Sequence, residues 1–290
     1  MSWGIAKVVD MPQQRRSAPG ARTPAKKAAR GPAARRASGK TRAALTREGV
    51  LEATIRMLDK QGEEKLTLRG LAAELGSGVA SIYWYAENKD QLLDVATGEI
   101  ISRAVADYRR GEADADADSE PARGDEPAFQ PHPDTSPETA DALNEVRKLI
   151  LSLYRQMEMH PWLPIRLMRS DPDVDGSLEF WEQLGRPLQR TTLSVKQQLT
   201  ATMTLMNYAS GTGAENAFRT QMQDSGQVME LQAMGEQVAR WKALSAGDFP
   251  FVRSVVDVFM DHDDSEQFVD GLDLTLRGIE YQANQAQRSQ

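Results

Sequence analysis

Thr67-Leu-Arg-Gly-Leu-Ala-Ala-Glu-Leu-Gly76, continued by Ser77-Gly-Val-Ala-Ser-Ile-Tyr-Trp-Tyr-Ala-Glu-Asn-Lys89, decides how this chain folds. Leu71, Ala72 and Leu75 recur at helical spacing and give a short helix one apolar stripe. Ala72 is small enough to let a second helix approach closely. Gly76, four residues on, suits the backbone reversal of a helix-turn-helix. Ser77-Gly78 leads into a second helix whose Ile82 faces the core, leaving Val79, Ala80, Ser81, Tyr83 and Tyr85 on its outer side. This is the pattern of a DNA-reading motif; the bland alternative makes Tyr83 and Trp84 ordinary core aromatics.

Outward from the motif, the chain reads as helix throughout. A first helix is expected near Leu45–Gln61, with Leu51, Ile55 and Leu58 on one face and Gly62 as its stop. A fourth begins at Asn88, a suitable N-cap, and continues through Leu92, Leu93, Ala96, Ile100 and Val105 toward Arg110. Residues 111–137 then turn acidic, low in complexity and proline-rich, as a flexible insertion would be: a passive loop or a lid. Ser136-Pro137-Glu138 opens a helix that ends at His160-Pro161. Further helices are expected over Trp162–Arg169, Leu178–Leu188, Leu193–Met222 (with a bend at Gly211-Thr212-Gly213), Val228–Leu244, Val252–Met260 and Gln267–Tyr281. No run has strand period. The expected fold is all-α: an N-terminal three-helix head joined by a linking helix to a larger helical domain.

Charge divides the chain more sharply than its net of −7 implies. Residues 1–44 hold 11 Lys/Arg and one acid, Asp10; the remainder holds 24 Lys/Arg against 41 Asp/Glu. The first segment has almost nothing apolar after Met11 and is expected to be a disordered basic arm. It either tracks phosphates or is a solvated tail. An acidic body does not forbid DNA binding, because the charge facing the phosphates matters more than the total.

Catalytic chemistry has few parts available. There is no cysteine, so disulfides and thiolate metal sites are excluded, and a reducing cytoplasm is the expected setting. No stretch is long and apolar enough to span a bilayer, so no membrane partner is expected. Of three histidines, His132 lies in the acidic insertion and His160 at a helix end. His262 sits among Asp261, Asp263 and Asp264, but that run lacks the glycine and distal glutamate of a calcium loop. No phosphate-binding glycine loop occurs. The expectation is a non-enzyme without cofactor or metal.

Leu66-Thr-Leu-Arg69, Leu71-Ala-Ala-Glu-Leu-Gly76, Ile82-Tyr-Trp-Tyr85 and Asn88-Lys-Asp-Gln-Leu-Leu-Asp94 resemble the DNA-binding domain of TetR-family transcriptional repressors, the tetracycline-repressor branch above all. The resemblance implies a head over 45–88 and a ligand-binding and dimerisation domain over 89–290. It places Thr67 and Arg69 toward DNA, Val79, Ala80 and Ser81 toward bases, Tyr83 and Tyr85 toward the backbone, and Lys89 on a phosphate. Val79 and Ala80 can read only apolar surface such as a thymine methyl, so hydrogen bonding to bases must come from elsewhere.

Phe268 to Glu280 is similar to the closing helix of the same family, which implies a homodimer. Phe268, Leu272, Leu276 and Ile279 form one apolar face, serving either as a dimer seam or as core of one chain. The family also implies a small-molecule pocket. Trp162, Met168, Trp181, Met203, Met206, Asn207 and Tyr208 are its candidates, with plain core packing as the alternative for each. Arg103-Ala104-Val105 lacks the drug-orienting histidine of tetracycline repressors, so the inducer is left unnamed. The implied function is a dimeric repressor of a pseudo-palindromic operator, released by an inducer. Its rivals are a constitutive or architectural DNA binder without ligand, and a ligand-responsive activator.

Overall fold

The computed structural model describes residues 45–115, 129–169, 176–224, 228–261 and 263–288, all within one compact unit that runs from Ala44 to Gln290. The expected basic arm lies outside the described residues. Among those described there is no strand.

Helix α1 spans Arg47–Lys65 and starts on Thr46, whose hydroxyl oxygen accepts the Gly49 N–H at 3.0 Å. The expected stop at Gly62 is a kink instead. Gly62 takes φ 76° and ψ 171°, a left-handed φ that glycine adopts without strain, and the helix resumes to Lys65. The motif follows as α2 (Leu68–Glu74) and α3 (Val79–Ile82), then α4 (Lys89–Ala115). Asn88 caps α4 as expected, its Oδ1 accepting the Gln91 N–H at 2.8 Å.

Helix α4 extends five residues into the segment read as a flexible insertion, and order returns by Phe129. Phe129 is buried, with the Arg277 guanidinium 4.4 Å from its ring centre. The insertion is therefore narrower than composition implied: 116–128 lie outside the described residues, while 129–135 form a strap. Glu280 fastens it, accepting the His132 N–H and the Thr135 hydroxyl at 2.6 Å each.

Helix α5 (Pro137–Met159) starts on Ser136, which accepts the Thr139 N–H at 3.2 Å. It is the axle of the body, burying Leu143, Val146, Leu149, Ile150, Leu153 and Met157. Around it lie α4, α6 (Leu163–Leu167), α7 (Ser177–Gln189), α8 (Val195–Asp224) and α11 (Asp264–Arg288). Between α8 and α11 come α9 (Val228–Ala243) and α10 (Pro250–Asp261), which pack on each other with Trp241 and Phe259 rings 5.2 Å apart.

The bend expected at Gly211–Gly213 is absent, and α8 runs through it as one helix. Gly213 has another use there: a Cβ would stand 2.6 Å from Met157 Sδ and 3.3 Å from Pro164 Cγ, so a larger residue would force the Met157 side chain to shift. Helices α8 and α11 run antiparallel. The Thr192 hydroxyl donates to the Ala283 carbonyl at 2.5 Å at one end, and Arg219 pairs with Asp264 at the other. No helix among the described residues is long and apolar enough to cross a membrane.

Candidate nucleic-acid interface

The turn between α2 and α3 is built by its backbone. Gly76 has φ 59°; its N–H donates to the Ala73 carbonyl at 3.0 Å, and the Ser77 N–H donates to the Ala72 carbonyl at 2.8 Å. This pair of bonds closes a helix with glycine in the left-handed conformation and fixes the direction in which α3 leaves. At the other end of α2, Thr67 Oγ1 accepts the Gly70 N–H at 3.0 Å. Beneath the motif Leu66, Leu71, Ala72, Ile82, Ala86 and Leu93 are buried, so α3 is seated on apolar contacts and only its outer side is free.

The proposed DNA-facing residues share this head, but they differ in how free they are. Thr67, Arg69 and Ala80 are exposed, Ser81 is half-buried, and Val79 packs partly against the core. Tyr83 is 55 % exposed and Trp84 88 %, so neither is a core aromatic. Trp84, absent from the residues singled out by sequence, is the most exposed large apolar side chain described. Its size reads as core, and only its position two residues past the buried Ile82 could have revealed it.

Tyr85 and Lys89 have internal work. The Tyr85 hydroxyl donates its one proton to the Leu45 carbonyl at 2.5 Å and ties the motif to the start of α1. Lys89 Nζ donates to the Glu63 carbonyl at 2.6 Å, fastening α4 to the end of α1. An ammonium carries three protons, so Lys89 still has donors for a phosphate; the Tyr85 hydroxyl has only lone pairs left, which a phosphate oxygen repels.

The seven ligand candidates do not line one cavity. Trp162 is buried, but its indole N–H donates to Asp59 of α1 at 2.7 Å. Met168, Met203 and Asn207 are exposed, Trp181 and Met206 half-buried. Tyr208 donates to the Phe268 carbonyl at 2.8 Å and packs against the Phe268 ring. On α8, positions 203 and 207 lie on the side away from the buried Leu205 and Ala209, a division that apolarity alone does not predict.

A wide cleft of about 800 Å³, lined by Tyr208, Thr212, Gly271 and Leu274 among others, opens along α8 and α11, and a smaller hollow of about 160 Å³ lies between α5, α8 and α11. Tyr154, Met157, Pro161, Gly213, Asn216 and Ser265 are among its walls. Asn216 donates to the Tyr154 hydroxyl at 2.9 Å, and the Tyr154 ring stacks on Phe268 at 3.7 Å. Burial pushes the Tyr154 hydroxyl above its usual pKa, so it stays protonated and can donate. Of the acidic run once weighed as a cation site, His262 lies outside the described residues. Asp263 caps α11 by accepting the Ser265 and Glu266 N–H groups at 2.8 and 2.9 Å.

Phe268, Leu272, Leu276 and Ile279, the face expected either to pair two chains or to serve as core of one, are buried against the same chain's own helices. Phe218 is exposed toward the far end of α8, and the other outer apolar residues are Leu274 (74 % exposed) and Tyr281 (66 %) on α11, and Val195 (80 %), Leu199 and Met203 on α8. Spaced four and seven residues apart, with α8 and α11 antiparallel, they form stripes on two neighbouring helices.

Comparison with known proteins covers both parts of the chain. The family described as bacterial regulatory proteins, tetR family, matches residues 50–96, and that described as tetracyclin repressor-like, C-terminal domain, matches residues 134–283. The HTH-type transcriptional repressor DrrR1 of Streptomyces coeruleorubidus is 26 % identical over 249 residues, 85 % of this chain and 81 % of that protein. The transcriptional regulator SCO7222 of Streptomyces coelicolor, described as a TetR, superposes with a TM-score of 0.62 at 29 % identity, over 82 % of this chain and 99 % of that one. ActR of the same organism, solved in complex with actinorhodin, shares the fold at 20 % identity and a TM-score of 0.63, over 83 % and 99 % of the two chains.

Proposed function

The chain belongs to the tetR family of transcriptional repressors, with a tetracycline-repressor-like C-terminal domain, and from that premise we propose that it is a homodimer that holds an operator and releases it when a small molecule binds. Residues 45–88 are the reading head and 89–290 the regulatory and dimerisation body. In the dimer, two copies of α3 enter successive major grooves of a pseudo-palindromic site, about 34–36 Å apart. Ala80 and Ser81 meet base edges, Val79 lends apolar contact, and Thr67, Arg69, Tyr83, Trp84 and Lys89 hold phosphates and sugars. Phosphate contacts set register and base contacts set sequence. It acts in the cytoplasm, where the operator is.

The observation that carries this reading is the exposed outer side of α3 and of the turn that follows it, bearing Ala80, Tyr83 and Trp84, on a head whose inner side is packed shut. The dimer forms through the outward stripes of α8 and α11. Inducer binds at the hollow beside Tyr154, where a flat ring can meet the Tyr154–Phe268 stack and polar groups meet Asn216 and Ser265. The ActR complex with actinorhodin supports a small-molecule effector for this fold. The inducer shifts the population between two separations of the heads.

The test is selection of duplexes from a random pool by the purified full chain, followed by a screen for small molecules that release the selected duplex. A two-fold-related consensus and a releasing compound are expected. Selection of a site without symmetry, or a complex that no compound in a broad aromatic library weakens, counts against the reading.

A further inference from the structure

His160 and Trp162 share one acceptor. Helix α5 ends at Met159 and α6 begins at Leu163, and the corner between them aims two ring nitrogens at the same carboxylate oxygen of α1. His160 Nδ1 lies 2.8 Å and the Trp162 indole nitrogen 2.7 Å from Asp59 Oδ1. An ionised carboxylate only accepts, so His160 carries its proton on Nδ1 and both bonds are charge-assisted. Both rings are largely buried; Asp59 reaches them from the second half of α1, the helix on which Leu66 and the reading head are hung.

Pro161, between these two residues, is a wall of the hollow beside Tyr154, as are Met157 and Glu158 of the last α5 turn. One three-residue corner thus presents Pro161 to the hollow and its two neighbours to the head. A second tie runs in parallel, from Arg166 of α6 to Asp94 of α4 at 2.5 Å.

We propose that His160-Pro161-Trp162 transmits occupancy of the hollow to the reading head, with Asp59 as the positioning residue that receives it. The proposal rests on the function proposed above. A molecule that displaces Pro161 outward cannot leave both Asp59 bonds in place, because the corner is too short to bend at its middle residue alone. Losing them removes one of the ties between α1 and the body and leaves the head held by the Lys89–Glu63 bond and the Arg103–Glu52 pair. A loosened head still meets phosphates anywhere on DNA, but it no longer sits at the fixed spacing that an operator demands.

Gly213 supplies a way to push on the corner without knowing the inducer. A Cβ there would stand 2.6 Å from Met157 Sδ and 3.3 Å from Pro164 Cγ, so Gly213→Ala wedges the hollow from the α8 side. The experiment compares the full chain with Trp162→Phe, Asp59→Asn and Gly213→Ala, each alone, and with Gly213→Ala combined with Trp162→Phe. Binding to the selected duplex and to a scrambled one is measured, together with amide hydrogen exchange of the free protein.

Trp162→Phe is expected to weaken binding to the selected duplex about tenfold, the worth of one hydrogen bond to a charged group, and Asp59→Asn and Gly213→Ala to weaken it in the same direction. Scrambled-duplex binding should hold within about twofold, because it is dominated by phosphate charge. Exchange should rise over residues 56–61 and 160–167 and stay unchanged in α2. The wedge should add less than its single-variant effect in the Trp162→Phe background, because one of the two Asp59 bonds it acts through is already gone. Unchanged affinity for the selected duplex in Trp162→Phe, additive losses in the double variant, or an unchanged corner in exchange each overturn the coupling. A wild-type chain that selects no duplex overturns instead the function on which the coupling rests.

Discussion

Tyr83, Trp84 and Tyr85 are three aromatic residues in a row with three different surroundings, and sequence alone treats them nearly alike. They follow the end of α3 in a turn, which the Tyr85 N–H closes by donating to the Ile82 carbonyl at 2.8 Å, so successive side chains leave it in different directions. Which of them faces inward depends on how α3 is seated, and that is set by the Gly76 turn and the burial of Ile82. The two predictions at this scale fall on different properties, stability for one residue and DNA affinity for the other. Tyr85→Phe deletes the bond to the Leu45 carbonyl and is expected to lower stability by about 1 kcal/mol, read as a drop in thermal midpoint, while DNA affinity changes little. Trp84→Ala removes a side chain that touches almost nothing in the chain, so the thermal midpoint should hold and DNA affinity should fall at every sequence. A Trp84→Ala protein that melts early, or that binds DNA as well as the parent, removes Trp84 from the interface.

At the scale of elements, nearly every helix was legible, because caps and apolar period are local. Thr67, Asn88 and Ser136 cap the helices that their chemistry announces. What escaped were ties across long stretches of chain. The strap 129–135 reads as loop from its prolines, yet Glu280, some 148 residues away from His132, holds it down. Burial pushes the Glu280 carboxyl up, but the Thr135 hydroxyl, the His132 N–H and Arg277 together outweigh it and hold the carboxyl below its usual range. A carboxyl whose pKa is lower folded than unfolded adds stability above its unfolded value, about 4.3, and loses it as pH falls through the folded value. Glu280→Gln is therefore expected to cost on the order of 1–3 kcal/mol at neutral pH. It should cost progressively less below about pH 4, where the parent loses the same contribution. Denaturant melts at neutral and acid pH give the comparison. A cost that does not shrink in acid means the strap is held by shape, through Phe129, and not by charge.

For the whole molecule, periodicity tells which face of α11 is apolar but not what covers it. Phe268, Leu272, Leu276 and Ile279 carry the strongest period and are spent on the chain's own core. A partner must use what the core leaves out, a weaker pattern of Leu274 and Tyr281 beside Val195, Leu199 and Met203, interrupted by polar residues. That pattern emerges only once α8 and α11 are known to lie side by side and antiparallel. It gives two substitutions on one helix with different fates. Leu272→Arg places a charge in the buried interior, where an unpaired ion costs several kcal/mol, and should leave little folded protein. Leu274→Arg combined with Leu199→Arg places charges on the outer stripes, where a single chain tolerates them in water but a dry seam between chains does not. Sedimentation of the double variant should show a folded monomer with near-parental helicity. Such a monomer still meets phosphates with one head, so it keeps weak binding to any duplex. It loses the gain that comes from linking two heads at a fixed spacing, and its preference for a two-fold operator should fall by at least about a hundredfold. A double variant that stays dimeric moves the interface elsewhere on the body. A monomer that keeps the full operator preference shows that one head reads the site alone.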